Sequence, residues 1–507
     1  MDRRGQKGSI TIFLSLVCIL FLSLICAAAE SARVQGAKAQ SANITGMGNF
    51  SLLAEFDRKL LEKYNIFSLD AAYGSGTFKI AKVNERLQHY ISYNSEPKKG
   101  VFSLFAFDPW QLSLTGSDVS EYALLTDQKG ESFYQQAVSY MKENAAVLAA
   151  DKLLEYAEGK DQIELWQKKY EESRKNSDSR MTELEAKKQE KLKELESEAQ
   201  ESGEAGTVTV PETPQNNPLK EIWKLQKKST LSIVTWDKEI SDKSIKTGGL
   251  PSKSRNRSGN MKIEKEHKGL ICDVLFREYL LMHFPNFLSE KKGKTLDYQI
   301  EYILGGNKTD EKNLKHAVNR LLLLREGMNY LYCLQSPQIS AQAEGLAVSL
   351  TGFLGLPALT AATKHALLLA WAYGESLVDV RILLDGGKVP LLKNESAWTL
   401  SAENLGRITE VLREGAKNSG EGLSYDEYLR VLLNMGFVSS QKMRALDMIQ
   451  AELGQEGEEE FKAQNCIVAV KTNTYWDCRP VFFGLPKAVM GVSGKDAAFE
   501  QEGSMAY

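Results

Sequence analysis

Three consecutive stretches at the N-terminus decide the fold: MDRRGQKG (residues 1–8), SITIFLSLVCILFLSLICAAA (residues 9–29) and ESARVQ (residues 30–35). The middle stretch carries no charge. As a helix it spans about 31 Å, which matches the hydrocarbon core of a bilayer. A helix also satisfies its own backbone hydrogen bonds in lipid. The pattern therefore predicts a single transmembrane helix over residues 9–29.

The charges that flank this helix predict its orientation. Arg3, Arg4 and Lys7 precede it with only Asp2 opposing them. Because positive residues stay in the cytoplasm, we expect a single-pass cell-membrane protein with a cytoplasmic leader (residues 1–8) and an extracytoplasmic remainder. The side chains expected to anchor the helix in membrane lipid are Ser9, Phe13, Leu16, Leu20, Leu24 and Ala29.

A cleaved secretory signal is the alternative, since Ala27, Ala28 and Ala29 form a small-residue cleavage site. The apolar core of a signal peptide is usually about 7–15 residues long, which is shorter than this stretch and favours an uncleaved anchor. After cleavage the chain would be a secreted protein, for which ligand binding is the expected role. Both interpretations place most of the chain outside the cytoplasm.

The same N-terminus resembles that of type IV pilins, in which a basic leader ends in glycine and an apolar helix continues into an amphipathic one. The leader here ends at Gly8. The resemblance implies helices that pack side by side, or processing after Gly8. The fifth residue after Gly8 is Phe13, where pilins usually have Glu.

The composition of the whole chain is that of a globular protein, with 43% apolar and 25% charged residues among 507. Lys and Arg number 63 against 66 Asp and Glu, so the net charge is -3. Without a basic field, nucleic-acid binding loses its main driving force. Six cysteines are too few for a disulfide scaffold.

Periodicity beyond the first helix predicts an α+β fold that is mostly α-helical. We expect a membrane-proximal α+β region (residues 30–134), a solvated charged helical hairpin or coiled coil (135–203), a linker (204–218) and a helix-rich body with C-terminal strands (219–507). The segments that read as strands are residues 78–83, 101–107, 231–236, 466–471 and 481–483.

Two helix starts carry specific capping signals. Thr309 precedes two acidic residues, and Ser424 with Glu427 forms a capping box. Residues 345–363 are uncharged and could be taken for a second membrane span, but their Gly, Pro, Ser and Thr content favours a buried helical hairpin bent at Pro357.

Only one constellation of side chains suggests chemistry. Glu375 and Asp379 lie one helical turn apart in an apolar segment, and such a pair could act as acid and base in an envelope hydrolase that cleaves glycans. They could equally form a structural charge cluster with Arg381, Arg320 or Arg325, which we favour. The histidine and cysteine spacings suggest no metal site, and no motif indicates a cofactor or a small-molecule substrate.

Cys466 and Cys478 flank the sequence KTNTYWD, which we expect to form a loop between two strands. Outside the cytoplasm such a pair is a possible disulfide. Two buried thiols without a bond are as plausible.

Four stretches resemble a bacterial membrane-anchored family known only as a domain of unknown function. They are residues 8–35, 60–74 (LLEKYNIFSLDAAYG), 296–332 (from LDYQIEYILGG to MNYLY) and 367–393 (LLLAWAYGESLVDVRILLDGGKVPLLK). Such proteins look like companions of tight-adherence (Tad/Flp) pilus systems. The resemblance implies a non-enzymatic, pseudopilin-like or accessory role in assembly or display of a pilus, with protein partners from that apparatus.

Overall fold

A computed structural model describes residues 5–96, 108–144, 150–201, 218–254, 256–414, 420–482 and 497–507. The fold is α+β and mostly helical, as predicted. The helices are α1 (Gly5–Leu53), α2 (Arg58–Tyr64), α3 (Ile80–Ser95), α4 (Asp127–Asn144), α5 (Ala150–Glu201), α6 (Pro218–Gln226), α7 (Thr230–Val234), α8 (Leu270–His283), α9 (Gln299–Gly305), α10 (Asp310–Gln335), α11 (Pro337–Thr351), α12 (Pro357–Leu384), α13 (Ile408–Glu414), α14 (Tyr425–Asn434) and α15 (Val438–Gln455). The strands are β1 (Leu69–Asp70), β2 (Leu112–Leu124), β3 (Cys466–Cys478) and β4 (Ala497–Ala506).

The chain divides into two compact units. Unit 1 contains residues 1–137, 254–266 and 453–507. Unit 2 contains residues 138–253 and 267–452. Each unit is therefore assembled from segments that are distant in the sequence.

Unit 1 is built on an antiparallel sheet with β3 at its centre. β2 pairs with one edge of β3, and β1 and β4 pair with the other. The second half of α1 and the whole of α3 pack on this sheet. The apolar core between them includes Ile44 and Leu52 of α1, Val83, Leu87 and Ile91 of α3, and Ile467, Val470 and Trp476 of β3.

Unit 2 is a helical body in which α10 and α12 pack along each other and α11 folds back on α12. The predicted apolar face of α10 is buried at Leu314, Val318, Leu321, Leu324, Met328 and Leu331. Both predicted caps are confirmed. The Thr309 hydroxyl accepts the Lys312 N–H, and Ser424 and Glu427 form the reciprocal capping box of α14.

The uncharged residues 345–363 form a helical hairpin, as predicted. α11 ends at Thr351, a single 3-10 turn follows, and α12 begins at Pro357. Proline is the first residue of α12 and bends no helix, because the N–H that it lacks would have no partner there. The hairpin is only partly buried, since the side chain of Val348 is 53% exposed.

Three strand predictions are wrong. Residues 78–83 lead into α3, because Val83, Leu87 and Ile91 continue the apolar pattern every four residues and a six-residue window hides that period. Residues 231–236 lie in and just after α7, a short helix. Residues 481 and 482 form a bend, while residue 483 and the predicted strand 101–107 lie outside the described residues.

The charged segment is one long helix, α5, over most of its predicted extent. The middle of α5 packs on α10 and α12 and buries a residue every seven positions, at Ile163, Tyr170 and Ser177. The prediction of a solvated arm therefore fails for residues 163–177 of α5, which belong to the packed body of unit 2.

Candidate functional site

The first half of α1 is an apolar helix whose side chains are exposed. Over 18 consecutive residues of this half the mean hydropathy reaches 2.8, and 6% of those residues are buried. The predicted anchor residues all lie on α1, and Phe13, Leu16, Leu20 and Leu24 are 68%, 60%, 66% and 62% exposed. Ala29 is half-buried. Among the described residues, one helix, α1, is long enough and apolar enough to cross a membrane. A signal sequence has the same property.

α1 enters the fold of unit 1 at Glu30 and Arg33, one turn apart and both buried. The Arg33 guanidinium donates to the Glu30 carboxylate and to the carbonyls of Trp110, at 2.6 Å, and Arg479, at 2.7 Å. Glu30 Oε2 accepts the N–H groups of residues 481 and 482. Burial alone would raise the pKa of Glu30, but the hydrogen bonds from Arg33 and these N–H groups hold it below its usual value. This ion pair therefore connects α1 to the segment just before β2, at Trp110, and to the segment just after β3, at Arg479 and residues 481 and 482.

Further along α1, two polar contacts bring the helix close to β3, and a glycine brings it close to the Trp110 ring. The Thr45 and Thr474 hydroxyls are 2.9 Å apart. Thr472 donates to the Asn49 side chain at 2.9 Å. A Cβ at Gly36 would lie 2.2 Å from the Trp110 ring. α1 is therefore continuous from its apolar half into a half that is fixed on β3.

Gly48 supplies a testable measure of this packing. A Cβ at Gly48 would lie 2.5 Å from the buried Ile91, whereas a Cβ at Gly46 would meet nothing within 4 Å. Gly48→Ala should lower the free energy of unfolding of unit 1 by about 1–3 kcal/mol through overpacking. Gly46→Ala, the matched control, should raise it by up to about 1 kcal/mol, because alanine favours the helix. Chemical denaturation of both variants measures the difference, and an equal effect of the two would contradict the close contact.

In unit 2, the predicted carboxylate pair lies in a closed charge cluster. Glu375 and Asp379 are both fully buried on α12. Lys393 forms ion pairs with both, and its Nζ is 2.6 Å from Asp379 Oδ1. Arg325 Nε of α10 is 2.9 Å from Asp379 Oδ2. Two carboxylates are thus matched by two cations, which is the condition for keeping charges in a protein interior.

The cluster ties the loop after α12 to the helices. Glu375 accepts the N–H groups of Thr399 and Leu400, each at 2.8 Å. Arg325 donates to the carbonyls of residues 390 and 391 and to the Tyr428 hydroxyl. Each hydrogen bond replaces one to water that burial has removed. These contacts support the structural interpretation of the two carboxylates.

The two carboxylates differ in their proton affinity. Burial raises the pKa of Glu375 above its usual value despite the charge of Lys393. Burial would also raise that of Asp379, but the charges of Lys393 and Arg325 and the hydrogen bond from Asn329 hold its pKa below its usual value. The difference arises because Asp379 faces two cations and Glu375 faces one.

Arg381, predicted to belong to this cluster, lies elsewhere. Its Nε is 2.9 Å from Asp385, and its Nη atoms bind Asp237 and the Val234 carbonyl. The hydrogen bond from Arg381 lowers the pKa of Asp237 to about 2. The prediction was wrong for Arg381 because residues 379 and 381 point to different sides of α12, and it missed Lys393. Arg381 instead fastens the end of α7 to α12.

Cys466 and Cys478 are the two terminal residues of β3, and both are free and buried. Twelve residues of extended chain separate them by about 40 Å, far beyond the reach of a disulfide. The predicted loop KTNTYWD is the middle of this strand. The disulfide prediction is therefore wrong, and the alternative of buried thiols without a bond matches the structure.

Another buried acid of unit 2, Glu326 of α10, is 4% exposed and lies beneath α5. Burial raises its pKa to about 8, although the charge of Arg174 and a hydrogen bond from Tyr170 oppose the shift; Glu171 adds to it. Sequence reasoning missed this residue. Its only signal was an acidic side chain within an apolar run of α10, next to Arg325.

Glu326 predicts a pH dependence for unit 2. The pKa of Glu326 is higher in the folded protein than in the unfolded chain. Its contribution to the free energy of unfolding is therefore fully present below about pH 4.5 and is lost as pH rises through about 8. We therefore expect thermal stability to fall between about pH 4.5 and pH 8 and to level off above that range. Glu326→Gln should flatten this slope in thermal unfolding of the full chain, and an unchanged slope would contradict the assignment.

A family model described as a family of unknown function (DUF5702) matches residues 209–478. The match includes Arg325, Glu375, Asp379 and Lys393, and it begins after α5. No curated protein and no solved structure matches the chain. Since the match spans more than half of the sequence, the chain belongs to DUF5702, a family of unknown function.

Proposed function

We propose that this protein is a non-enzymatic, membrane-anchored envelope protein that acts as a pseudopilin-like or accessory component in assembly or display of a Tad/Flp-type pilus. Residues 1–8 would remain in the cytoplasm, and both units would lie outside it. The observation that carries the proposal is the continuity of α1, which runs without a break from an exposed apolar half into a half fixed on β3.

Physical considerations support the membrane role of α1. Fully exposed Leu, Ile and Phe side chains in water forgo roughly 1.5–3 kcal/mol each relative to an apolar environment. Eleven large apolar side chains between residues 10 and 25 are at least 47% exposed. Lipid, or the apolar helices of neighbouring proteins in lipid, would remove that cost. Arg3, Arg4 and Lys7 favour a cytoplasmic N-terminus.

The glycan-hydrolase alternative has no comparable support. Both candidate carboxylates are fully buried, and each already accepts hydrogen bonds or ion pairs from Lys393, Arg325 or backbone N–H groups. A glycosidic bond would have to reach them through the packed interior of unit 2. Their contacts instead account for them as partners that hold the loop after α12.

Protease accessibility and N-terminal mapping test the membrane part of the proposal. In intact cells with a permeabilised outer layer, external protease should digest units 1 and 2 and leave residues 5–29 protected. Mass spectrometry of the N-terminal peptide should show no cleavage near Ala29. Protection of the units until the inner membrane is opened would overturn the topology, and a mature N-terminus near residue 30 would overturn the anchor.

In-cell crosslinking tests the pilus part. Photo-crosslinkers at exposed positions of α1, such as Phe13 and Leu20, should capture components of the Tad/Flp apparatus in a pilus-producing host. Deletion of the gene should reduce surface pili counted by electron microscopy, and the intact chain should restore them. Normal piliation after deletion, with no apparatus component captured, would overturn this part alone.

A further inference from the structure

Unit 2 contains an open cleft of about 630 Å³ between α5, α6 and the α11–α12 hairpin. On its two long walls, α12 presents alanines and α5 presents polar side chains. The floor is formed by buried apolar residues: Leu219, Ile222, Leu350, Ala366, Leu369 and Ala370. Four helices thus supply a preformed concave surface, which is the usual setting of a small-molecule site.

The polar groups of the floor are already engaged. Thr351 Oγ1 donates to the Ala347 carbonyl, and Thr363 Oγ1 to the Leu359 carbonyl, each at 2.8 Å. The Tyr170 hydroxyl bonds to Glu326. The two threonines therefore offer the cleft mainly their methyl groups. A sugar or peptide backbone in this floor would lose its hydrogen bonds to water without replacement, whereas a hydrocarbon would not.

The rim of the cleft carries charge. Arg174 of α5 and Lys220 of α6 line it, and both side chains are exposed. Asp178, one turn after Arg174, is the acidic residue among the lining side chains. The lining therefore has a net charge of about +1, with the indole of Trp223, 45% exposed, beside it. An apolar floor below a cationic rim complements a molecule with a hydrocarbon tail and an anionic head.

We propose that this cleft binds a single-chain anionic amphiphile, with its hydrocarbon tail on the α11–α12 floor and its carboxylate or phosphate head at Arg174 and Lys220. The size agrees. An apolar cavity of about 150 Å³ holds benzene, so the cleft, about four times larger, has room for on the order of 20 heavy atoms. The proposal uses residues of unit 2 only and does not depend on the proposed role of α1.

Photolabelling with a diazirine analogue of palmitate tests the site. The full chain is reconstituted in nanodiscs, irradiated with the probe and mapped by mass spectrometry. Peptides of α6 and α12 should be labelled, and excess palmitate should suppress the labelling. Labelling of α1 reports probe dissolved in the bilayer and should resist this competition. Label found on α1 but not on α6 or α12 would overturn the proposal.

Competitors separate the head groups. Palmitate and lysophosphatidic acid distinguish a carboxylate from a phosphate, and suppression by either supports an anionic head. Hexadecanol has the same chain without the charge and should compete at least about tenfold more weakly, since a charge-assisted hydrogen bond is worth roughly 1.5–3 kcal/mol. Equal competition by hexadecanol would overturn the role of Arg174 and Lys220.

Variants locate the tail and the head. Ala366→Phe fills the floor and should abolish labelling of α6 and α12 while α1 remains labelled. Arg174→Gln with Lys220→Gln should reduce cleft labelling roughly tenfold. Lys224→Gln is the matched control, because Lys224 pairs with Glu221 outside the cleft. Unaltered labelling in the first two variants would overturn the proposal. Competition in the unmodified chain keeps it testable if Ala366→Phe fails to fold.

Discussion

Lys393→Met should lower the free energy of unfolding of unit 2 by about 3–5 kcal/mol, the cost of leaving a buried charge without its partner. The Lys393 side chain is 1% exposed and lies between Glu375 and Asp379. Methionine keeps most of the volume but removes the cation that both carboxylates share. Arg325 contacts Asp379 and leaves Glu375 uncompensated. Denaturant unfolding of the full chain, followed by tryptophan fluorescence, measures the loss.

Two further variants make this result specific to charge. Lys364→Met removes an ion pair with Glu344 whose side chains are 28% and 63% exposed, and it should cost at most about 1 kcal/mol. Adding Glu375→Gln to Lys393→Met should recover part of the loss. The loss should also shrink as pH falls, since protonation of Glu375 removes the unpaired charge. Wild-type stability in Lys393→Met would contradict the closed cluster.

Leu20→Arg with Leu16→Arg should release the chain from the membrane. Each arginine at the middle of a transmembrane helix costs roughly 2.5–3.5 kcal/mol in insertion, so together they oppose it by about 5–7 kcal/mol. Both leucines are at least 60% exposed, so the substitutions disturb no packing within the fold. The measurement is the fraction of protein that stays with membranes after extraction at alkaline pH.

Gln35→Arg is the matched control for this experiment. Gln35 is exposed on the same helix but lies beyond the apolar half. This variant adds one positive charge where the test variant adds two, and it should remain in the membrane fraction. If both variants stay with the membrane, some other part of the chain holds it there. If both are released, the arginines act through α1 generally and not through its apolar half.

Features that depend on nearby residues could be predicted from the sequence. Three such features depend only on residues close together in the sequence. They are the apolar run that begins α1, the Thr309 cap, and the capping box of Ser424 and Glu427. The length of α1 was also predictable in outline, because the helical pattern continues beyond residue 29. The strand predictions for the short apolar segments were wrong, because a pattern of six residues fits a strand or a helix equally well.

The charge cluster shows why the candidate site was only partly predictable. Glu375 and Asp379 stand out because carboxylates in an apolar helix need partners. Their partners are tertiary neighbours: Arg325 is 54 residues from Asp379, and Lys393 follows a turn after α12. The sequence left Arg381, Arg320 and Arg325 open as partners, and of these three described residues Arg325 is the one that contacts the pair. The pairing of β3 with β1, β2 and β4, which separates Cys466 from Cys478, is equally non-local.

The unbroken α1 has a mechanical consequence. Its 49 residues form a rod about 74 Å long, and the junction between its two halves falls at the Glu30–Arg33 ion pair. If the apolar half lies in lipid, as proposed, a tensile load applied to unit 1 would pass straight along this rod into the bilayer, without a flexible joint to absorb it. Tilting the embedded end would likewise swing the sheet of unit 1 through the same angle. Under that proposal, a displacement in the plane of the lipid would become a reorientation of unit 1 above it.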